Sequence, residues 1–221
     1  MEIIGTVAFS VSGALIACGA ALDIFGVVFV GCITAFGGGM IRDILLGITP
    51  PSIFKNHIIF SIAVLSAIIV FIAAYVNKEK FSIFKFKIDH INNFFDAVGL
   101  AAFSVTGAEV GFINGYSDNI LVITVIGMIT GIGGGIMRDI LIDTTPYVFK
   151  KHIYALASVF GSILYYILRL FFNNISLASA LAMIFVIIIR ILATKYRWSL
   201  PKITISPIDS NMSKFDNNAQ I

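Results

Sequence analysis

The sequence predicts an all-α integral membrane protein with seven transmembrane helices, arranged as two inverted three-helix repeats plus a seventh helix. Three observations predict this fold. Of the 221 residues, 58% are hydrophobic and only 12% are charged, whereas soluble domains carry about 25% charge. The apolar residues fall into segments of the length that a bilayer crossing needs, about 20 residues of helix. Three blocks of sequence also occur twice, in one order.

The predicted spans follow one another through short links that hold turn and capping residues. They run near 3–22, 24–47, 57–76, 94–114, 119–142, 152–172 and 176–194. The long link at 77–93 is polar and basic. Residues 1–198 are therefore predicted to form one transmembrane domain, and the polar tail at 199–221 is predicted to be disordered in the cytoplasm.

The basic residues predict the orientation of these spans. An odd number of spans places the 77–93 link, the 143–151 link and the C-terminus on one side, which we call the lysine-rich face. Its basic residues are Lys78, Lys80, Lys85, Lys87, Lys150, Lys151, Lys195, Arg197, Lys202 and Lys214. The opposite face holds Lys55 and Arg169. The positive-inside rule then predicts an inner (plasma) membrane protein with a cytoplasmic C-terminus and an outside N-terminus. Two interpretations of the lysine-rich face stay open. It attracts anionic lipid headgroups as well as setting the topology, or it sets the topology alone.

Internal duplication accounts for most of the chain. The first pair of blocks is EIIGTVAFSVSGA at Glu2–Ala14 and DAVGLAAFSVTGA at Asp96–Ala108; the second is TAFGGGMIRDIL at Thr34–Leu45 and TGIGGGIMRDIL at Thr130–Leu141; the third is FKNH at 54–57 and FKKH at 149–152. Repeat one thus covers 2–76, repeat two covers 96–172, and the seventh helix at 176–194 lies outside them. Because each repeat holds three spans, the second copy is inverted, as in many proteins that move a solute across a membrane.

Each repeat places a glycine triplet near the bilayer midplane. The triplets are Gly37, Gly38 and Gly39 in span two, and Gly133, Gly134 and Gly135 in span five. Each glycine costs a helix about 1 kcal/mol relative to alanine, so we expect a kink or an unwound turn. Freed carbonyls there, with the hydroxyls of Thr34 and Thr130, could face a passing cation. The alternative is close helix packing through small residues.

An Arg-Asp pair follows each triplet, Arg42-Asp43 and Arg138-Asp139. Charged residues inside spans usually face a bundle interior or a water-filled cavity. Neighbouring residues on a helix point about 100° apart, so we expect each arginine to contact the opposite repeat rather than its own aspartate. Glu109, whose repeat mate is Leu15, is one candidate partner for Arg42; Asp139 and freed carbonyls of the second triplet are the others. The alternative is that the arginines only hold the helices together.

Supporting hydroxyls are predicted at Ser12 and Thr106, which are repeat mates able to hydrogen-bond between helices. No nucleophile–base or metal-ligand pattern is visible, so the sequence predicts no enzyme, no catalytic residue, no metal site and no cofactor. The net charge of +3 does not suggest nucleic-acid binding.

Three segments carry a resemblance to a known family. They are DIFGVVFVGCITAFGGGMIRDILLG, GLAAFSVTGA and GMITGIGGGIMRDIL, and they resemble the prokaryotic relatives of the trimeric intracellular cation (TRIC) channels, a family also labelled a glycine transporter domain (UPF0126-type). The resemblance implies a symmetric homotrimer, with a potassium-permeable pore in each protomer around which the triplets kink helices two and five. Sodium is a second candidate ion. In animal members, basic residues near the kinks are associated with phosphoinositide lipid, and the resemblance carries this over only to Arg42 and Arg138.

Three function classes remain open from the sequence. The leading hypothesis is a passive monovalent cation channel with its pore between the repeats, lined by the threonines, glycine triplets and Arg-Asp pairs named above. The second is a secondary transporter of a small amino acid such as glycine, in which a helix N-terminus would meet the carboxylate. The third is a lipid-binding or assembly protein that transports nothing.

Overall fold

The computed structural model describes residues 1–78, 85–150, 153–172, 174–196 and 198, without the side chains of 85–88 and 150. Within these ranges, seven long helices are each apolar enough to cross a membrane, and the all-α membrane class is confirmed. They are α1 (Glu2–Gly19), α2 (Ile24–Leu45), α3 (His57–Val76), α4 (Lys85–Gly111), α5 (Ile120–Leu141), α6 (Tyr154–Phe171) and α7 (Ile175–Lys195). One-turn helices at Ser52–Lys55 and Tyr147–Lys150 precede α3 and α6, and a wide π-turn at Phe112–Tyr116 follows α4.

Two helix boundaries differ from the predicted spans. Helix α1 ends at Gly19, three residues early, because Asp23 begins α2 and accepts a hydrogen bond from the Gly26 N–H at 2.8 Å. Helix α4 begins at Lys85 rather than near 94, since the polar link continues into it. Asn92, in that added part, is buried and accepts a hydrogen bond from the Ser12 hydroxyl of α1 at 2.7 Å.

Several predictions fall on residues that the structure does not describe. The tail at 199–221 lies outside the described residues, as do Lys80, Lys151, Lys202, Lys214 and Arg197. The disordered tail, the domain bounds and the orientation therefore stay predictions.

The inverted repeat is confirmed by matched contacts in the two halves. In repeat one, the Ser10 hydroxyl of α1 donates to the Ala63 carbonyl of α3 at 2.6 Å. At the equivalent place in repeat two, the hydroxyls of Ser104 and Ser158 bond at 2.5 Å. The offset is 104 − 10 = 94 in the first helix of each repeat and 158 − 63 = 95 in the third. Two residues related by these offsets are repeat mates.

The core lies where α2 and α5 cross, with α1 and α4 on either side. Helix α7 packs on α4 and α6 through small buried residues such as Ala178 and Ala182. Large apolar side chains including Phe25 and Ile69 remain exposed on the helix faces that point away from this core. A bilayer solvates such faces, whereas they would be a liability in water.

Candidate functional site

The glycine triplets do not interrupt their helices. Helical structure continues without a break from Ile24 to Leu45 and from Ile120 to Leu141. The prediction of an unwound turn at each triplet is therefore wrong. A bend that keeps the helical hydrogen bonds stays a prediction.

The triplets instead mark the place where α2 and α5 touch. A Cβ atom on Gly38 would collide with the backbone carbonyl of Thr130 in α5, and one on Gly134 would collide with the carbonyl of Thr34 in α2. A Cβ on Gly133 would lie 2.9 Å from the Gly38 Cα atom. Only glycine allows this approach, so close packing through small residues is the correct interpretation. Two backbones in contact at these glycines explain the triplets without any loss of helix.

The two threonines that precede the triplets in sequence donate hydrogen bonds from their hydroxyls to carbonyls of their own helices. Thr34 donates to the Val30 carbonyl and Thr130 to the Ile126 carbonyl, both at 2.6 Å. Both side chains are buried. In this conformation the hydroxyls are thus already satisfied, and their predicted role beside a permeating ion stays a prediction.

Each arginine pairs with the aspartate beside it in sequence, contrary to expectation. Arg42 Nε lies 2.8 Å from Asp43 Oδ1, and Arg138 Nε lies 2.8 Å from Asp139 Oδ1. The expectation considered only the directions of the Cβ atoms. The long arginine side chain lets its guanidinium fold back to the neighbouring carboxylate, and such charge-assisted bonds are strong.

The second carboxylate oxygen of Asp43 and of Asp139 accepts a hydrogen bond from the backbone of the link that follows its helix. Asp43 Oδ2 accepts a hydrogen bond from the Ser52 N–H at 2.6 Å, and Asp139 Oδ2 accepts one from the Tyr147 N–H at 2.7 Å. Ser52 and Tyr147 each begin a one-turn helix. Both aspartates therefore act as N-terminal caps for a helix several residues further on, which neutralises part of the helix-end dipole.

Repeat two surrounds its arginine with a buried network from four helices. Arg138 Nη1 donates to Ser12 Oγ of α1 and to Asp96 Oδ1 of α4, each at 2.9 Å. Tyr154 of α6 donates to the same Asp96 oxygen at 3.2 Å. The side chains of Arg138 and Asp96 are 0% exposed. The prediction that Arg138 contacts the opposite repeat is confirmed by its bond to Ser12.

A second arginine joins this network from outside the repeats. Arg190 of α7 is buried, with Nη2 3.9 Å from Asp96 Oδ2 and its guanidinium carbon 4.6 Å from the Tyr154 ring centre. Two guanidiniums thus face the carboxylates of Asp96 and Asp139. At the end of the network, burial raises the pKa of the Tyr147 hydroxyl, although the Arg138 guanidinium opposes this, so Tyr147 stays neutral.

Repeat one lacks these partners. Among the described residues, the ion pair recorded for Arg42 is the one with Asp43. The repeat mate of Asp96 is Glu2, which is exposed, and the mate of Tyr154 is Ile59. The predicted pairing of Arg42 with Glu109 is wrong, because Glu109 pairs with Arg169 of α6, Nε to Oε2 at 3.4 Å. Thr106, the mate of Ser12, has a buried hydroxyl with no hydrogen-bond partner in the described part of the chain.

Sequence reasoning missed Asp96 and Arg190. Both fall inside predicted spans, and an ionisable residue within a span is itself a signal of an interior or functional position. Neither has a charged repeat mate within a predicted span: Arg190 lies outside the repeats, and the mate of Asp96 is Glu2, just before the first span. Asn92 could not be found in this way, because it lay in the predicted link.

A cavity of about 1020 Å³ lies at the lysine-rich face, among the ends of α1 to α5. Its lining includes the carboxylates of Asp23, Asp89 and Asp139 and one described lysine, Lys78. Asp139 is almost fully buried, so it lies at the inner limit of the cavity, next to Arg138. Carboxylates around a concave site raise the local concentration of cations.

The fold and sequence match known membrane proteins along nearly the whole chain. UPF0126 membrane protein YvgT of Bacillus subtilis is 34% identical over 204 residues, covering 91% of this chain and 94% of that protein. A prokaryotic TRIC channel crystallised in 0.5 M KCl is 35% identical, with a TM-score of 0.79 and coverage of 90% and 96%. The trimeric intracellular cation channel orthologue from Rhodobacter sphaeroides is 29% identical, with a TM-score of 0.78 and coverage of 88% and 95%.

A family model described as "Glycine transporter" matches residues 1–75 and 93–170. The two matched parts are the two inverted repeats described above. With the relatives just named, this match establishes that the chain belongs to the UPF0126 family of membrane proteins, which the family model describes as glycine transporters and whose fold is that of the prokaryotic TRIC channels.

Proposed function

We propose that the protein is a passive channel for monovalent cations, with potassium as the principal ion and sodium as a second candidate. The observation that carries the proposal is the likeness to solved cation channels over about nine-tenths of the chain. A channel rather than an enzyme is what such relatives support. The cavity at the lysine-rich face supports the sign of the permeant ion, since its described lining holds three aspartates, one of them paired with Arg138, and one lysine.

The proposed pathway runs between the repeats. Ions would enter the cavity, pass Asp139 at its inner end, and continue beside the crossing of α2 and α5 at the glycine triplets. The Arg138 network would hold one wall of this pathway in place. Arg42, which is 6% exposed and makes fewer contacts, is the freer of the two motif arginines.

The proposed assembly is a homotrimer in the inner (plasma) membrane, with one pathway in each protomer. The trimeric structure of the Rhodobacter sphaeroides orthologue supports this assembly. The C-terminus is proposed to be cytoplasmic. A C-terminal phosphatase or fluorescent reporter checks the orientation: fluorescence with no phosphatase activity is expected, and phosphatase activity would place the lysine-rich face outside the cell.

The alternative function is a secondary transporter of a small amino acid such as glycine, favoured by the description of the matching family model. Liposomes with the purified protein separate the two. A channel gives potassium flux that rises linearly with the driving voltage and is indifferent to glycine. A carrier gives saturable glycine uptake coupled to a proton or sodium gradient. Uptake of that kind without potassium flux would replace the channel proposal.

A further inference from the structure

The two halves of the molecule differ at the positions that border the cavity. On the repeat-one side, the cavity is lined by Leu15 and Cys18 of α1 and by Phe71 and Ala74 of α3. The offsets of 94 and 95 between the repeats assign their mates. The mates are Glu109 near the end of α4, Phe112 at the start of the π-turn that follows it, and Tyr166 and Arg169 of α6. These four mates, here called the Glu109 cluster, lie near the opposite face, because the repeats are inverted.

The members of the Glu109 cluster contact one another. Arg169 Nε lies 3.4 Å from Glu109 Oε2. The Arg169 guanidinium carbon lies 4.9 Å from the centre of the Phe112 ring. The rings of Phe112 and Tyr166 are 6.3 Å apart at their centroids, a normal separation for a packed aromatic pair. The chain of contacts therefore joins α4 to α6 across the site that is open in repeat one.

The equivalence of the positions holds along the whole of the third helix. Deeper in the bundle, a Cβ on Gly31 would touch Ala67 Cβ at 3.0 Å, and a Cβ on its mate Gly127 would collide with Ser162, the mate of Ala67. Helices α3 and α6 continue without interruption from these points to Ala74 and Arg169. In the third helix of each repeat, the mate assignment therefore does not depend on an insertion.

The ion pair of the Glu109 cluster is loose compared with the buried pair at Arg138. Its 3.4 Å separation exceeds the 2.9 Å between Arg138 and Asp96. Its side chains are 14% and 20% exposed, whereas Arg138 and Asp96 are 0% exposed. Partly solvated pairs contribute little net stability. Such a pair can separate and reform at small cost, which suits a moving part better than a fixed one.

We propose that the Glu109 cluster is a gate that closes the cation pathway at the opposite face, and that separation of Arg169 from Glu109 opens it. The inference rests on the proposed channel function. Four uncharged residues border the open lysine-rich end, whereas their mates at the other end include an ion pair and contact one another. Opening would also leave the Glu109 carboxylate free to attract the entering cation, while Arg169 withdraws a positive charge that repels it.

The test exchanges residues between the repeats. The variant Glu109→Leu/Arg169→Ala places the repeat-one residues in the gate, and Leu15→Glu/Ala74→Arg places the gate residues in the open cavity. The matched control, Glu109→Arg/Arg169→Glu, keeps an ion pair with reversed charges. Glu109→Gln is a milder second opening variant in case the first fails to fold. Each protein is purified, checked for trimer and melting temperature, and recorded in planar bilayers with symmetric KCl.

The first exchange and Glu109→Gln are expected to raise the open probability about fivefold or more, the range of ordinary coupling between two states. The reciprocal exchange is expected to lower current, and the reversed pair to remain near wild type. If the wild type conducts and both opening variants have the same open probability as the wild type, the gate proposal is wrong, whereas the channel proposal is retained. If neither wild type nor any variant conducts, the channel proposal fails and the gate fails with it.

Discussion

The two Arg-Asp pairs share one motif but have different surroundings. In both repeats the arginine bonds to the adjacent aspartate, and that aspartate caps a one-turn helix. In repeat two the arginine is also tied to Asp96 and Ser12, whereas Arg42 has none of these added bonds among the described residues. The shared Arg-Asp bond and helix cap thus hold the links that follow α2 and α5. The additional bonds of Arg138 hold the end of α5 more firmly than the end of α2.

This difference teaches that duplication preserved a scaffold while the two halves diverged in the contacts that hold their arginines. The repeat-two arginine is locked among four helices, on the side where the cavity is open. The repeat-one arginine lies towards the opposite face, where the loose Glu109 cluster also lies. The proposed gate requires one firmly held end and one looser end, so matched substitutions in the two halves should have unequal effects.

The largest effect is expected from Arg138→Ala. The substitution leaves Asp96 and Asp139 without their shared partner, and removing one member of a buried pair costs about 3–5 kcal/mol. The matched control is Arg42→Ala, which removes one adjacent pair and is expected to cost clearly less. Thermal unfolding in detergent measures both. Equal losses of stability for the two variants would contradict the asymmetry.

The next effect is expected at the helix crossing. Gly38→Ala and Gly134→Ala each drive a methyl group into a backbone carbonyl of the other helix, and overpacking costs about 1–3 kcal/mol. Gly39→Ala is the control, since its Cβ would meet only the end of the Arg42 side chain at 3.8 Å. We expect Gly39→Ala to fold normally, with unchanged trimer. Equal damage at all three positions would show that the triplets serve helix flexibility and not close contact.

The span pattern and the duplication were sufficient to predict the membrane class, the seven helices and the inverted repeat. They could not show that the triplets serve close packing, because a kink and a close contact both favour residues without a Cβ. The answer depends on where the other helix passes, which Gly38 and Thr130 show only in three dimensions. The same holds for Glu109, whose partner Arg169 is 60 residues away in the chain.

Local geometry misled the sequence interpretation at the Arg-Asp pairs. Helix periodicity gives the direction of a side chain at its base, and it says little about the end of a long flexible chain such as that of Arg42. Each arginine therefore bonds to the carboxylate of the adjacent aspartate, which sequence reasoning had set aside in favour of a more distant group. Asp96 and Arg190, in contrast, could have been found, since a charge inside a predicted span is visible without any structure.

The last prediction compares the changes in stability when the hydroxyls of the repeat mates Ser12 and Thr106 are removed. Ser12→Ala removes a group that accepts from Arg138 and donates to Asn92, so we expect a loss of about 1–3 kcal/mol. Thr106→Val removes a buried hydroxyl that has no partner among the described residues, so it is expected to be neutral or slightly stabilising. Melting temperatures of the two variants, measured side by side, test this. A larger loss for Thr106→Val would show that its hydroxyl has a role in repeat one.

A cation-selective pathway through the protein is tested most directly by the reversal potential in a planar bilayer. With a tenfold KCl gradient across the purified wild-type protein, a purely cation-selective channel gives a reversal potential of about 59 mV in the direction set by potassium. We predict a value close to this limit and ohmic current around it. A reversal potential near zero, or no current together with saturable glycine uptake by the same preparation, would contradict the proposed pathway.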